Sequence, residues 1–169
     1  FKNLLSITIP DSVLTIGIGA FKYCASLRYF KMPPKVTFIR TSLFEGCISL
    51  ESVDFHDDII ELGYMTFDKC SNLSSYKIPP KVTKIPSYMF QSCYSLSVVV
   101  LDDNIESIGG SAFGECRLIT NITLPPKVTM IDSYCFSRCI NIRSFEIHEN
   151  VTSIWNYAFG GCVLLPTIH

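Results

Sequence analysis

Apolar residues recur at every twenty-third position along the chain, with mainly polar positions between them. Each interval fits the template L-x-x-[IVFY]-x-[ILMF]-x-x-x-[VI]-x-x-[IL]-x-x-x-x-F-x-x-C-x-x without insertion or deletion. Because so small a unit cannot bury its apolar face alone, the repeat predicts stacked coils that share one core. The pairs that mark the interval are Phe21/Cys24, Phe44/Cys47, Phe67/Cys70, Phe90/Cys93, Phe113/Cys116, Phe136/Cys139 and Phe159/Cys162.

One coil, LSSYKIPPKVTKIPSYMFQSCYS at 73–95, predicts a strand, an extended return segment and a tight turn. Tyr76 and Ile78 point inward with the residue between them outward, and the prolines at 79–80 end the strand because they cannot donate a ladder hydrogen bond. The apolar spacing over 87–93 predicts one turn of helix. Parallel strands are predicted near 28–32, 51–55, 74–78, 97–101, 120–124 and 143–147, with the phenylalanines in a buried stack.

The chain holds seven such intervals and a short remainder. We therefore expect a single α/β repeat solenoid over 1–169, without a linker. Terminal coils of solenoids usually carry a polar outer face, and neither end of this sequence does. The sequence is therefore interpreted as a piece of a longer array.

The wording IGxxAF at 16–21 and 108–113, within the pattern L-x-x-I-x-L-P-x-x-V-x-x-I-x-x-x-A-F-x-x-C, resembles the BspA-like, or treponemal-type, leucine-rich repeat of surface antigens. The resemblance covers essentially the whole chain. It implies a right-handed, curved coil with a parallel sheet on the concave side and short helical turns and loops opposite. It also implies adhesion, or binding of host proteins, at a microbial cell surface. The glycine of the IGxxAF motif is replaced at Arg40, Pro86, Asp132 and Trp155, and we expect less regular turns there.

Composition and candidate chemistry indicate a non-enzymatic protein. The net charge of −1 gives no signature for nucleic acid, and no apolar run approaches the roughly 18 residues of a membrane-spanning helix. His56 and His148 share a slot but lie four coils apart, about 19 Å at strand spacing, so they cannot bind one metal ion. No Ser/His/Asp grouping or phosphate-binding motif occurs, and we expect no cofactor.

The eight cysteines are interpreted as small buried hydrophobic residues with free thiols. Equivalent positions in stacked coils are about 4.8 Å apart, but their Cα–Cβ bonds run parallel, whereas a disulfide needs them to converge. The motif formed by Cys135 and Cys139 has no further metal ligands nearby, so a zinc site is not expected.

The pentapeptide PPKVT occurs at 33–37, 79–83 and 125–129, in every second coil, and acidic loops stand between the copies. Alternation spaces the lysines about 10 Å apart, twice the strand spacing, and places an acid between them, which limits like-charge repulsion. Duplication of a two-coil unit explains the same pattern.

Function is expected on the outward strand positions. These positions are mainly polar, but in SVVVL at 97–101 the two outward residues are valines, Val98 and Val100. A protein ligand, by resemblance an extracellular-matrix or plasma protein, fits such a surface better than a small molecule does. A loop edge with Lys35, Lys81 and Lys127 is the alternative contact. A stalk or spacer that presents another domain, and an intracellular scaffold, are the alternative functions. The N-x-[ST] triplets that begin at Asn72, Asn121 and Asn150 are acceptor sequences for N-glycosylation and give weak support for a secreted protein. The candidate binding residues are Tyr29, Lys31, Asp54, Lys77, Val98, Val100, Asn121 and Glu146.

Overall fold

A computed structural model describes residues 2–167. Every strand pair is parallel and joins one coil to the next, which confirms the predicted parallel stacking. The first strand of a coil lies at the predicted place, and the second segment follows the proline or acidic loop. The strands are β1 (Tyr29–Lys31), β2 (Ser52–Asp54), β3 (Ser75–Lys77), β4 (Lys84–Ile85), β5 (Val98–Val100), β6 (Ser107–Ile108), β7 (Met130–Ile131) and β8 (Ser153–Ile154).

Two of the six predicted first strands are wrong. The ranges 120–124 and 143–147, both within the described part of the chain, contain no assigned strand. Their apolar residues still point into the core: Ile122, Leu124 and Phe145 are buried. One long hydrogen bond of 3.4 Å, from the Arg143 N–H to the Thr120 carbonyl oxygen, joins the two segments. The side-chain alternation therefore persists where the ladder of backbone hydrogen bonds does not.

The predicted phenylalanine stack runs through the centre of the protein. Neighbouring rings lie 5.5–5.8 Å apart with interplanar angles of no more than 16°. Six of the seven rings are buried, and Phe159 is half-buried. These centroid distances lie within the range that aromatic pairs prefer. The stack thus carries one continuous core from coil to coil.

The predicted helical turn over 87–93 is wrong: no helix occurs among residues 2–167. The chain makes successive β-turns instead, in which the Gln91 N–H donates to the Tyr88 carbonyl and the Cys93 N–H to the Phe90 carbonyl. Tyr88 and Ser92 have φ of +62° and +58°, and a residue in this left-handed region interrupts a right-handed helix. Both positions recur in every coil, at Gly19, Ser42, Met65, Tyr88, Ser111, Tyr134 and Tyr157 and at Tyr23, Gly46, Lys69, Ser92, Glu115, Arg138 and Gly161.

These turns are held by hydrogen bonds between coils. In each coil three backbone N–H groups donate to carbonyl oxygens of the next coil, as Met65 does to Ser87, Phe67 to Met89 and Lys69 to Gln91. The same set continues along the described chain, from Gly19 to Arg138. The left-handed positions aim these groups along the stack, and the turn side of the coils is therefore bonded without interruption.

The strand side is bonded only in pairs of coils. The sheets contain two strands each, β1 with β2, β3 with β5, β4 with β6 and β7 with β8. Within the described residues, no backbone hydrogen bond joins 51–62 to 74–85, or 97–108 to 120–131. The structural unit on this side is therefore a pair of coils, which is also the interval of PPKVT.

The loops between the two strands explain this pairing. Proline carbonyls of each PPKVT loop accept hydrogen bonds from side chains of the acidic loop in the next coil. The His56 Nε2 atom lies 3.1 Å from the Pro33 carbonyl oxygen, and the Asn104 Nδ2 atom lies 2.6 Å from that of Pro80. His148 and Asn150 contact Pro125 and Pro126 in the same way. Alternation thus reflects specific hydrogen bonding in addition to the predicted spacing of charge.

The glycine of the repeat follows the same two-coil interval. It is present in the second coil of two pairs, at Gly63 and Gly109, where a Cβ atom would lie 2.5 Å from the Arg40 backbone and 2.6 Å from the Ser87 nitrogen. Only glycine permits so close an approach. Arg40, Pro86 and Asp132 replace it in the first coils, which have no bonded strand before them. Trp155 replaces it in the second coil of the third pair, so three of the four absent glycines lie at gaps between pairs. The looser turns expected at these positions stay a prediction.

Candidate functional site

All eight candidate binding residues are exposed, but only six lie on strands. Tyr29 and Lys31 lie on β1, Asp54 on β2 and Lys77 on β3. Asn121 and Glu146 lie in the two segments that lack strand hydrogen bonds, so the predicted continuous strand face is interrupted there. The remaining two residues, Val98 and Val100, lie on β5.

The two valines are the apolar part of this face. Val98 is 53% exposed and Val100 is 51% exposed, whereas Val99 between them is half-buried against the core. Parallel pairing places Val98 opposite Ser75 and Val100 opposite Lys77. The outward direction predicted for both valines is therefore what the structure shows, and no side chain of β3 covers them.

Four of the eight candidates meet in one cleft of about 420 Å³ on the strand face. Asp54 from β2 and Lys77 from β3 lie on opposite sides, and Val98 and Val100 extend the second side. We call this the β2–β3 cleft. Tyr29 and Lys31 lie one strand away, beside β2, and do not line it. Its lining residues are Ser52, Val53, Asp54, Phe55, Asp57, Ser75, Tyr76, Lys77, Ile78, Pro79, Val98 and Val100.

Unpaired charge lies at the mouth of the β2–β3 cleft. Asp54 and Lys77 carry opposite charges, yet none of the ion pairs within residues 2–167 joins them. A neighbouring pair does cross the same gap between coils, because the Lys81 Nζ atom lies 2.6 Å from the Asp58 Oδ1 atom. The Asp54 carboxylate and the Lys77 ammonium thus remain available for a ligand.

The alternative loop edge is less organised. Lys35, Lys81 and Lys127 are exposed. Lys81 is already paired with Asp58, and hydrogen bonding to this lysine lowers the pKa of the Asp58 carboxyl. Exposed pairs of this kind stabilise a protein little, and none of the three lysines lines the β2–β3 cleft.

A buried acidic group on the turn side was missed by the sequence reasoning. Glu45 and Asp68 occupy the same slot in adjacent coils and are 5% exposed. Burial opposes ionisation of Glu45, but the Lys22 ammonium 2.8 Å away outweighs it and lowers the pKa. Burial raises the pKa of Asp68 despite Lys69 at 3.2 Å. The slot resembles an exposed turn position in sequence, because its burial depends on left-handed turns that only Gly46 signals and that Met65 and Lys69 do not.

No group suited to metal chemistry is found within 2–167, where no three His, Cys, Asp or Glu side chains converge. The part of the chain that the structure describes also has no helix long and apolar enough to cross a membrane. His56 and His148 each contact a proline carbonyl instead.

The comparisons with known proteins agree with this architecture. The family model described as the BspA type leucine rich repeat region matches in six copies over residues 1–116 and 83–169. The chain therefore belongs to the BspA-type leucine-rich repeat family. A search of curated proteins finds no significant match.

Solved structures give the same result at the level of the fold. A leucine rich repeat protein of T. pallidum is 29% identical, with a TM-score of 0.75 over 89% of this chain and 71% of that one. A leucine-rich repeat protein of Bacteroides ovatus is 25% identical, with a TM-score of 0.64 over 95% and 53%. A leucine rich cell surface protein of Faecalibacterium prausnitzii is 24% identical, with a TM-score of 0.58 over 88% and 55%. The chain thus spans about half the length of the last two proteins.

Proposed function

We propose that the protein is a non-enzymatic binding or adhesion module that contacts a partner protein through its strand face, at the cell surface or after secretion. The observation that carries this proposal is the pair of half-exposed valines, Val98 and Val100, on the rim of a cleft that also presents Asp54 and Lys77. Apolar centres surrounded by polar residues are typical of protein-binding sites. The cell-surface description of the Faecalibacterium relative supports the location.

The charged residues have a different role from the valines in this proposal. Burying two valine side chains against a partner contributes mainly to the lifetime of the complex, whereas exposed charges at a rim act mainly on the association rate. In this proposal Lys31, Asp54 and Lys77 are the charges that act on the association rate. Tyr29, Asn121 and Glu146 are further exposed positions of the same face. Extracellular-matrix or plasma proteins, the partners implied by the family resemblance, are the first to test.

The experiment compares the wild type with the double variant Val98→Glu/Val100→Glu in a binding assay against those proteins. Both side chains already point to solvent, so we expect the melting temperature to stay close to that of the wild type while binding is lost. A matched control is Thr120→Glu, an exposed position outside the cleft, which should leave binding unchanged. Full binding by the double variant would move the contact to another surface, and absence of binding to any partner would favour a spacer role.

A further inference from the structure

The β2–β3 cleft lies between two strands that are neighbours in the stack but are not hydrogen-bonded. Most Cα–Cα distances between β2 and β3 exceed 8 Å, whereas nearly all of those between the paired strands β1 and β2 lie below it. The turn side of the same two coils remains bonded, through Met65 to Ser87 and Phe67 to Met89. The two coils therefore diverge on the strand side only.

The facing edges of β2 and β3 present free backbone groups to the cleft. Residues along a strand direct their N–H and C=O groups to alternate sides. On β2 the Asp54 carbonyl accepts from Met32, which belongs to the preceding coil, so Val53 faces β3. On the other side the Ile78 N–H donates to Val100 in the following coil, so Lys77 and Ser75 face β2. Unpaired edges of this kind are templates for a further strand.

A buried hydroxyl group in the same place also has no partner. Tyr76 lines the cleft and is only 6% exposed. Its hydroxyl oxygen is shielded from solvent and makes no hydrogen bond with the described residues. Its ring packs edge-on against Phe55, with centroids 6.1 Å apart. Buried polar groups are nearly always hydrogen-bonded in folded proteins, so this hydroxyl marks a position where a ligand can supply the partner.

We propose that the β2–β3 cleft binds an extended segment of a partner protein by β-strand addition between β2 and β3. This inference rests on the proposed function, because it concerns the same face. A strand inserted between two others needs them roughly 9–10 Å apart, twice the usual spacing, and the unbonded edges of β2 and β3 line a cleft of about 420 Å³. Main-chain hydrogen bonds supply affinity in this mode of recognition, and side-chain pockets supply specificity.

The charges at the mouth define the side chains of that segment. Ser52 and Ser75 occupy one outward row, and Asp54 and Lys77 occupy the next. An outward side chain between Asp54 and Lys77 must donate to a carboxylate and accept from an ammonium. Asparagine and glutamine side chains do both. The segment that fits therefore has a glutamine or asparagine in this position, a small polar residue beside the serines, and small apolar residues on the inward face.

The test uses a synthetic hexapeptide, acetyl-Thr-Val-Gln-Val-Thr-Val-amide, and the whole protein labelled for NMR. At about 1 mM peptide, a concentration suited to weak binding, we expect saturable shifts and slower amide exchange at Val53, Ser75 and Lys77. The slowing should rise with the bound fraction and reach about twofold at half saturation. A peptide methylated on alternate backbone nitrogens should lose most of this binding. Replacing its glutamine by glutamate or lysine should weaken binding in both cases, because either charge repels one side of the mouth.

Two variants separate this inference from the proposed function. Tyr76→Phe should weaken hexapeptide binding several-fold while the free protein melts at the same or a higher temperature, since an unpartnered buried hydroxyl is removed. Shifts confined to Val98 and Val100, without protection at Val53, Ser75 and Lys77, would overturn strand addition while leaving a side-chain contact on this face intact. No saturable binding of the hexapeptide would also overturn it. Loss of whole-protein binding in Val98→Glu/Val100→Glu tests the proposed function. Because both valines also line the cleft, strand addition is judged from the hexapeptide with the wild type and Tyr76→Phe.

Discussion

The thiol of Cys93 donates a hydrogen bond to the carbonyl oxygen of Phe67 in the preceding coil, with 3.1 Å between sulfur and oxygen. The same contact joins the other repeat cysteines after Cys24 to the phenylalanine of the coil before them, from Cys47 with Phe21 to Cys162 with Phe136. All eight cysteines, which lie within 2–167, are free. Cysteine is thus both a small apolar residue and a weak donor, and six of the thiols donate to a phenylalanine carbonyl of the preceding coil.

Alkaline pH should therefore unfold the protein. Burial raises the pKa of Cys47 to about 12 and also raises that of Cys93 and Cys139, whereas an unfolded thiol ionises at about pH 8.5. The folded state keeps protons that the unfolded state loses, so the free energy of unfolding falls as pH rises from about 8.5 towards 12. Each such thiol contributes about 1.4 kcal/mol per pH unit. Urea unfolding between about pH 8 and about pH 10 measures the slope.

A single cysteine variant provides the control for that slope. Cys93→Ala removes one titrating group, so its free energy of unfolding should fall less steeply, by about 1.4 kcal/mol per pH unit. Cys162 is only half-buried, so Cys162→Ala should change the slope less. Equal slopes for the wild type and Cys93→Ala would show that the thiols do not set the alkaline limit.

Truncating Phe90 to alanine should lower the free energy of unfolding by about 3–5 kcal/mol, because the fully buried ring leaves a cavity. The ring contacts Phe67, Phe113 and Tyr76. The matched control is Phe159→Ala, since Phe159 is half-buried and has a stacked neighbour at one side, Phe136. Chemical denaturation should give Phe90→Ala a clearly lower free energy of unfolding than Phe159→Ala. Similar losses in the two variants would contradict a shared continuous core.

The histidine of the acidic loop should stabilise each pair of coils. The His56 Nε2 atom lies 3.1 Å from the carbonyl oxygens of both Pro33 and Val36, so the proton must lie on Nε2, and Nδ1 accepts from the Asp58 N–H. His56→Ala should cost about 1–2 kcal/mol. His148 contacts only the Pro125 carbonyl, so His148→Ala should lower the free energy of unfolding by less than His56→Ala does. Nitrogen NMR shifts of His56 test the tautomer directly, and a proton on Nδ1 would be inconsistent with this geometry.

Two glycines in the same slot should respond differently to alanine. At Gly109 a Cβ atom would meet the backbone of Ser87 at 2.6 Å, whereas at Gly17 no atom lies within 4 Å. Neither glycine has positive φ, so the difference isolates the close approach of paired coils. Gly109→Ala should lower the melting temperature clearly, and Gly17→Ala should leave it nearly unchanged or raise it slightly. A neutral Gly109→Ala would show that the two coils can separate without cost.

The sequence predicts the features that depend on burial. Side chains at Phe90 or Tyr76 must point inward for any stacked coil to form, so their columns are visible as hydrophobic periodicity. The turns are not visible in this way, because Tyr88 and Arg138 adopt positive φ without the glycine that usually signals it. The β2–β3 cleft depends on which strands fail to pair. Val53 and Tyr76 fit the inward positions of a strand whether or not that strand is paired, so the sequence pattern does not locate the gap. The predicted residues Val98 and Val100 were found from lost polarity, whereas the cleft beside them was not predicted.

The pairing of coils means that this protein can change its length only in steps of two coils without local damage. Removal of a single acidic coil would place two proline loops in succession, and the carbonyls of the first would face a second proline loop in place of a histidine or asparagine donor. Removal of a single proline coil would leave those donors without their proline carbonyls. Loss of the coil that contains Gly63 or Gly109 would also set Pro86 or Asp132 in the slot where that glycine meets the previous backbone. Rearrangements that add or remove two adjacent coils should therefore preserve these contacts between loops, whereas those that add or remove one coil should break them.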